Sequence, residues 1–186
     1  MKVLPKILLA LTAVAALSVA YPAKANLITN PGFETGDFTG WTTSGVGASV
    51  VGTFQFQPPH SGSFQAQLTT GSITQTLVTM ATQSYTISFW LASPSGALGD
   101  SFAVKWGGST IFTEPAQPLG YTEFTFTETA SSASTALQFL GIGSSTNWLL
   151  DDVSVEVATV PDGGTTVSLL GCALIGLAAL RRKLGC

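Results

Sequence analysis

The chain has 186 residues, 45% of them hydrophobic and only 9% charged, with a formal net charge of −3. Six of its seven basic residues lie at the ends (Lys2, Lys6 and Lys24; Arg181, Arg182 and Lys183), so the stretch from Asn26 to Val160 sets Lys105 alone against nine carboxylates, a net charge of −8. That stretch has nothing with which to neutralise phosphates, which excludes nucleic-acid binding, and it repels anionic polymers unless a cation intervenes.

The first element runs from Met1 to Ala25. Lys2 and Lys6 precede an apolar run from Ile7 to Ala20, and Ala23-Lys24-Ala25 closes it with small residues. This is the pattern of a secretory signal peptide with an A-x-A cleavage site, so cleavage is expected between Ala25 and Asn26.

From Asn26 onwards the apolar period is two. Tyr85, Ile87, Phe89 and Leu91 alternate with Thr86, Ser88 and Trp90; Phe102, Val104 and Trp106 alternate with Ala103 and Lys105; Phe124 and Phe126 alternate with threonines; Leu149, Val153, Val155 and Val157 continue the series. Strands with one buried face produce this alternation. Turn signals recur at Pro58-Pro59, Ser61-Gly62, Pro94-Ser95-Gly96, Pro118-Leu119-Gly120 and Gly143-Ser144-Ser145, and Gly107-Gly108 suits a two-residue hairpin. Such spacing predicts one all-β domain over residues 26–159, an antiparallel sandwich or barrel. Both cysteines, Cys172 and Cys186, lie beyond it. The domain therefore has no disulfide and no thiol nucleophile, and its stability must come from packing.

Catalytic patterns are sparse. His60 is the only histidine, it sits in the turn-rich Gln57-Pro58-Pro59-His60-Ser61-Gly62, and no Gly-x-Ser-x-Gly elbow occurs. One histidine without exported cysteine makes a poor zinc site. Nine acids guarantee that some carboxylate pair exists, which is no argument for a glycosidase; Glu114, Glu123 and Glu128 are expected at strand ends and on outward faces. Trp90 falls on the phase opposite to Tyr85, Ile87 and Phe89. It is either an outer-face aromatic forming a ligand face with Phe54, Phe56 and His60, or a ring packed beneath a loop. Trp41 and Trp148 read as core or strand-edge residues.

The last element begins at Val160-Pro161-Asp162-Gly163-Gly164. Sixteen uncharged residues follow, Thr165 to Leu180, and then Arg181-Arg182-Lys183. As a helix the uncharged run is about 24 Å long at about 1.5 Å per residue, just short of the roughly 30 Å hydrocarbon core, so flanking residues complete the span. The basic cluster stays cytoplasmic, which places the domain outside, the orientation that the signal peptide also gives.

Two resemblances rest on these residues. Val160 to Lys183 resembles the tripartite sorting signal of the PEP-CTERM class, most closely its VPDSG-CTERM variant, with Gly163 where that variant has Ser and with Leu184-Gly185-Cys186 following the basic cluster. The resemblance implies processing by a membrane-embedded exosortase, an inner-membrane-anchored precursor, and a mature protein at the cell surface or in an extracellular polysaccharide matrix. The segments Asn26-Leu-Ile-Thr-Asn-Pro-Gly-Phe-Glu34, Gly40-Trp41 and Trp148-Leu-Leu-Asp-Asp-Val-Ser-Val155 resemble jelly-roll modules related to carbohydrate-binding domains. That likeness implies a jelly-roll sandwich with its first and last strands side by side and a structural calcium near them. Glu34, Asp151 and Asp152 are the candidate ligands, since hard oxygens suit Ca²⁺; the two aspartates serve equally as edge charges that discourage pairing with other chains. The expected function is that of a non-catalytic surface or matrix protein, the alternative a carbohydrate-binding module with a defined glycan, and the distant alternative a glycoside hydrolase.

Overall fold

The computed structural model describes residues 25–96, 99–115, 117 and 119–158, together with Gly171, Ala173, Leu174 and Arg182, which are helical. Apart from those residues, the expected signal peptide and the C-terminal sorting segment lie outside the described residues. No helix among the described residues is long and apolar enough to cross a membrane.

Ten strands form the domain: β1 (Thr42–Ser44), β2 (Ala48–Val51), β3 (Gln65–Leu68), β4 (Gly71–Val78), β5 (Ser84–Ser93), β6 (Ser101–Trp106), β7 (Ser109–Pro115), β8 (Leu119–Thr129), β9 (Ser134–Ile142) and β10 (Trp148–Val157). They make two five-stranded sheets in the orders β1-β4-β9-β6-β7 and β2-β3-β10-β5-β8, with every strand pair antiparallel. Hereafter these are the first and second sheets. The alternation read from the sequence is what the sheets bury: Ile87, Phe89, Leu91, Phe102, Val104, Leu137, Phe139 and Leu150 meet between them. Phe89 is the hub, with its ring centroid 5.2–6.5 Å from those of Phe102, Phe112, Phe124, Phe126 and Phe139. The hairpin at Gly107-Gly108 forms as expected, both residues having positive φ (57° and 90°), as a primed turn requires.

Two expectations need correction. Leu119-Gly120 is not a turn but the start of β8. In β10 the phase does not run unbroken from Leu149 to Val157, because β10 spends two residues, Asp152 and Val153, where β5 spends only Phe89. This bulge, with Asp152 at φ 48°, shifts the phase by one. Leu150, opposite Leu91 and Ala66, becomes the residue that faces the core.

The first and last strands do not lie side by side as the jelly-roll likeness implies, since β1 is an edge of the first sheet and β10 lies between β3 and β5 in the second; it is the segment ahead of β1 that runs beside β10. Leu27 donates its N–H to the Val155 carbonyl at 2.8 Å. The Asn26 side chain bonds Val153 and Val155 of β10, at 3.0 Å and 2.9 Å. At the opposite end of the sandwich, the Asp100 carboxylate accepts the backbone N–H groups of Ser144, Ser145 and Thr146. Those bonds, that from Ser145 foremost, hold its pKa below the usual carboxylate range.

Candidate functional site

The bulge in β10 determines what stands on the outer face of the second sheet. It sets Asp151 and Asp152 side by side against the loop between β2 and β3, and that loop meets them with hydrogen-bond donors. Ser61 donates its N–H to Asp151 Oδ2 (3.1 Å) and its hydroxyl to Asp152 Oδ1 (2.7 Å), while His60 Nδ1 lies 2.6 Å from Asp152 Oδ2. Just beyond, Ser63 and Phe64 donate their N–H groups to the Glu34 carboxylate. Gly62 takes φ 63°, a conformation that favours glycine, and a Cβ there would displace the Glu34 carboxylate from its N–H partners.

This arrangement explains the sequence segments that frame the domain. In Gly32-Phe33-Glu34 the Phe33 ring is fully buried against Phe38 and Trp41. Gly32 lies against the aspartates: a Cβ on it would stand in ordinary contact, 3.5 Å, with an oxygen of each. Glu34 closes the far side.

Asp151 is fully buried, and that burial, with Asp152 beside it, pushes its pKa up to about 6 against the pull of the loop N–H groups. Of the three expected calcium ligands, Asp151 and Asp152 stand side by side, whereas the Glu34 carboxylate is turned to the Ser63 and Phe64 N–H groups. Among the described residues, no three His, Cys, Asp or Glu side chains stand close enough to hold a metal by themselves. A calcium ion here would have to complete its shell with backbone carbonyls, as Ca²⁺ commonly does.

The expected aromatic face is built differently from an open platform. Trp90 does point outward, but His60 lies flat on it, with ring centroids 3.8 Å apart and an interplanar angle of 13°. Tyr121 meets the same imidazole edge-on at 5.4 Å and gives its hydroxyl proton to Gln65 Oε1. Burial raises the Tyr121 pKa well above that of a free phenol. Gln65 in turn bonds the carbonyls of Gly52 and Gln57. Trp90 thus pins the loop to the sheet. Phe54 is half-buried at the base of a tight turn closed by its own bonds with Gln57. The open aromatic is Phe56, fully exposed at the turn's tip, where Gln55 and Phe56 both take positive φ.

A serine, a histidine and an aspartate thus meet here, but they fan out from the aspartate: the Ser61 hydroxyl donates to Asp152, not to His60. Nucleophilic catalysis needs the serine proton directed at the imidazole. Asp151, being fully buried, cannot touch a substrate as a glycosidase acid must.

The comparisons with known proteins fall on both parts of the chain. Residues 159–184 match the model of the VPDSG-CTERM motif. No curated protein matches the chain. Among solved structures, TmCBM61 in complex with beta-1,4-galactotriose is 22% identical, with a TM-score of 0.59 over 72% of this chain and 99% of that one. The CBM22-1 xylan-binding domain of Paenibacillus barcinonensis Xyn10C is 16% identical, with a TM-score of 0.55 over 76% and 99%. The arabinose-bound MgGH51 α-L-arabinofuranosidase matches over 73% of this chain but 27% of its own, at 12% identity and a TM-score of 0.57, so what is shared there is one part of a larger enzyme. The chain carries a VPDSG-CTERM motif and, ahead of it, a jelly-roll sandwich of the form that carbohydrate-binding modules take.

Proposed function

We propose that this is an exported, non-catalytic glycan-binding protein, brought to the cell surface by its C-terminal signal and held there in extracellular polysaccharide. The signal peptide 1–25 directs export, the helix 165–180 anchors the precursor in the inner membrane, and an exosortase acts at Val160 to Gly164. One observation carries the reading: β10 ends at Val157 and the sorting motif begins at residue 159, so the tag is joined directly to a single jelly-roll domain, and that domain is what sorting delivers. A delivered domain of this form, with no catalytic constellation among its described residues, has recognition as its natural task, and its acidity favours uncharged glycans over anionic ones.

The test is co-sedimentation of the full chain with the host's extracellular polysaccharide, with xylan and with β-1,4-galactan. Retention that soluble polysaccharide competes away, without release of reducing sugar, is the expected result; no retention on any of the three overturns it.

We also propose a structural Ca²⁺ held by Asp151 and Asp152, with Glu34 turning toward it and backbone carbonyls completing its shell, on the strength of the two adjacent aspartates and the burial of Asp151. A divalent cation offsets the charge of adjacent buried carboxylates and, by binding only the folded state, stabilises it. Chelation is expected to lower the melting temperature, and added Ca²⁺ to restore it. Coincident melting curves leave the aspartates as a hydrogen-bonded clamp on the loop.

A further inference from the structure

Both ends of the domain's chain leave it at one end of the sandwich. β10 finishes there at Val157, and Ala158 donates its N–H to the Ser84 carbonyl at 2.8 Å. The opening segment runs antiparallel to β10, Leu27 bonding Val155 while the Pro31 carbonyl accepts the Val153 N–H, so the chain ahead of Leu27 heads for the same end. The turn from β4 to β5 and the turn from β8 to β9 close that end and are braced together. Thr79 donates its N–H to the Ala133 carbonyl and its hydroxyl to the Ser132 carbonyl, at 3.0 Å and 2.8 Å, and Met80 donates its N–H to the Tyr85 hydroxyl at 2.9 Å. On either side of the buried Thr79, Val78 and Met80 are turned out, 87% and 70% exposed. Val157, opposite Tyr85, is half-exposed at the same rim. Residues 79–83, 107–108 and 130–133, which make the turns of this end, include no charged side chain, in a domain that carries nine carboxylates. Glu128 and Glu156 stand one step back from the rim, opposite Tyr85 and Thr86.

We propose that, while the precursor is anchored, this end of the domain rests on the outer surface of the inner membrane, with Val78 and Met80 in the lipid headgroup layer. The proposal rests on the reading above that residues 165–180 hold the precursor in the bilayer. Residues 158–164 then join the rim to the bilayer, and fully extended they reach at most about 25 Å. So short a tether keeps the rim at an effective concentration of roughly millimolar against the surface, and a weak contact suffices. Two apolar side chains do not hold a free domain on lipid, which takes a larger apolar face or added positive charge, so the contact ends when the tail is cut. The opposite end also exposes apolar side chains, Val46 and Ile142, but it lies a full sandwich length from the exit and carries the Asp100 carboxylate. Docking at the rim serves sorting, because it holds residues 160–164 at the plane of the bilayer, where a membrane-embedded enzyme cuts. The acidity of the domain sets the lipid preference, since anionic headgroups repel a net charge of −8.

The experiment uses the full chain, made in a bacterial host that has no exosortase, recovered from its membrane and reconstituted in phosphatidylcholine vesicles. With Cys172 and Cys186 replaced by alanine, a nitroxide is attached at Met80→Cys or, at the opposite end, at Val46→Cys. Collisions with a water-soluble nickel chelate are expected to be severalfold rarer at position 80 than at position 46. Val78→Asp is expected to bring the label at position 80 to the level of position 46, while the melting temperature stays within a few degrees because the Val78 side chain is exposed. A label that stays protected in Val78→Asp overturns the docking, since the turn itself then shields it. Added phosphatidylglycerol is expected to reduce the protection; protection that rises instead overturns contact through an apolar rim. Equal collision rates at the two positions, in chain that floats with the vesicles, overturn the docking and leave the anchor. Chain that does not float with the vesicles overturns both.

Discussion

Replacing Phe89 by alanine is expected to destabilise the domain by about 3–5 kcal/mol, the range for removing a large aromatic from a packed core. The ring is fully buried and touches five other phenylalanines drawn from β6, β7, β8 and β9. It thus belongs to one sheet and packs on the other, and no single neighbour can move to fill its space. With no disulfide in the domain, that loss is set against a total stability of about 5–15 kcal/mol. At roughly 3–5 °C per kcal/mol for a domain of this size, the melting temperature should fall by about 10–20 °C. Phe56→Ala is the control: its ring is wholly exposed, so removing it should leave the melting temperature nearly unchanged. Thermal unfolding followed by near-ultraviolet circular dichroism reads both, and equal shifts in the two variants would mean that the two sheets do not pack through Phe89.

The residues that make this core were legible because their information is local. The large apolar residues Tyr85, Ile87, Phe89 and Leu91, and Phe102, Val104 and Trp106, recur at every second position, and a period of two places each on its face without reference to any partner. What failed in β10 failed for a local reason as well: Asp151-Asp152-Val153 contains no glycine to flag a bulge, so the phase shift between Leu149 and Val153 became visible only in the register with β5. The candidate site was legible in its members and not in its arrangement. His60 and Asp152 are 92 positions apart, and nothing in a loop histidine announces that it will lie on Trp90. Glu128 is a different case. Its position two residues after Phe126 was in the sequence, and continuing the alternation one step would have placed an acid on the buried face. It is still the strand-end acid that was expected, the penultimate residue of β8, while Glu123 is the outward-facing one.

Cutting of the C-terminal tail is where the proposed sorting is most exposed to test. If the segment after β10 were only an anchor, apolar length and the positive charge of Arg181, Arg182 and Lys183 would decide its behaviour. Changing Pro161 and Asp162 would then leave the chain at full length in the inner membrane. If an enzyme reads the motif, those two side chains are what it recognises, Pro161 by fixing the backbone before it and after it, Asp162 by its charge. Gly163 and Gly164 then supply unhindered backbone beside them. In the native host the mature protein is therefore expected to lack Cys172 and the basic cluster, and the Pro161→Ala, Asp162→Ala double variant to accumulate uncut in the membrane fraction. On the proposed sorting the effect is close to all-or-none, because uncut chain keeps the apolar run from Thr165 to Leu180 and cut chain does not. Intact mass spectrometry of surface and membrane fractions distinguishes the two. Wild-type protein that retains Leu184 to Cys186 at its final location refutes sorting, and wild type and double variant cut alike would show that recognition lies outside Pro161 and Asp162.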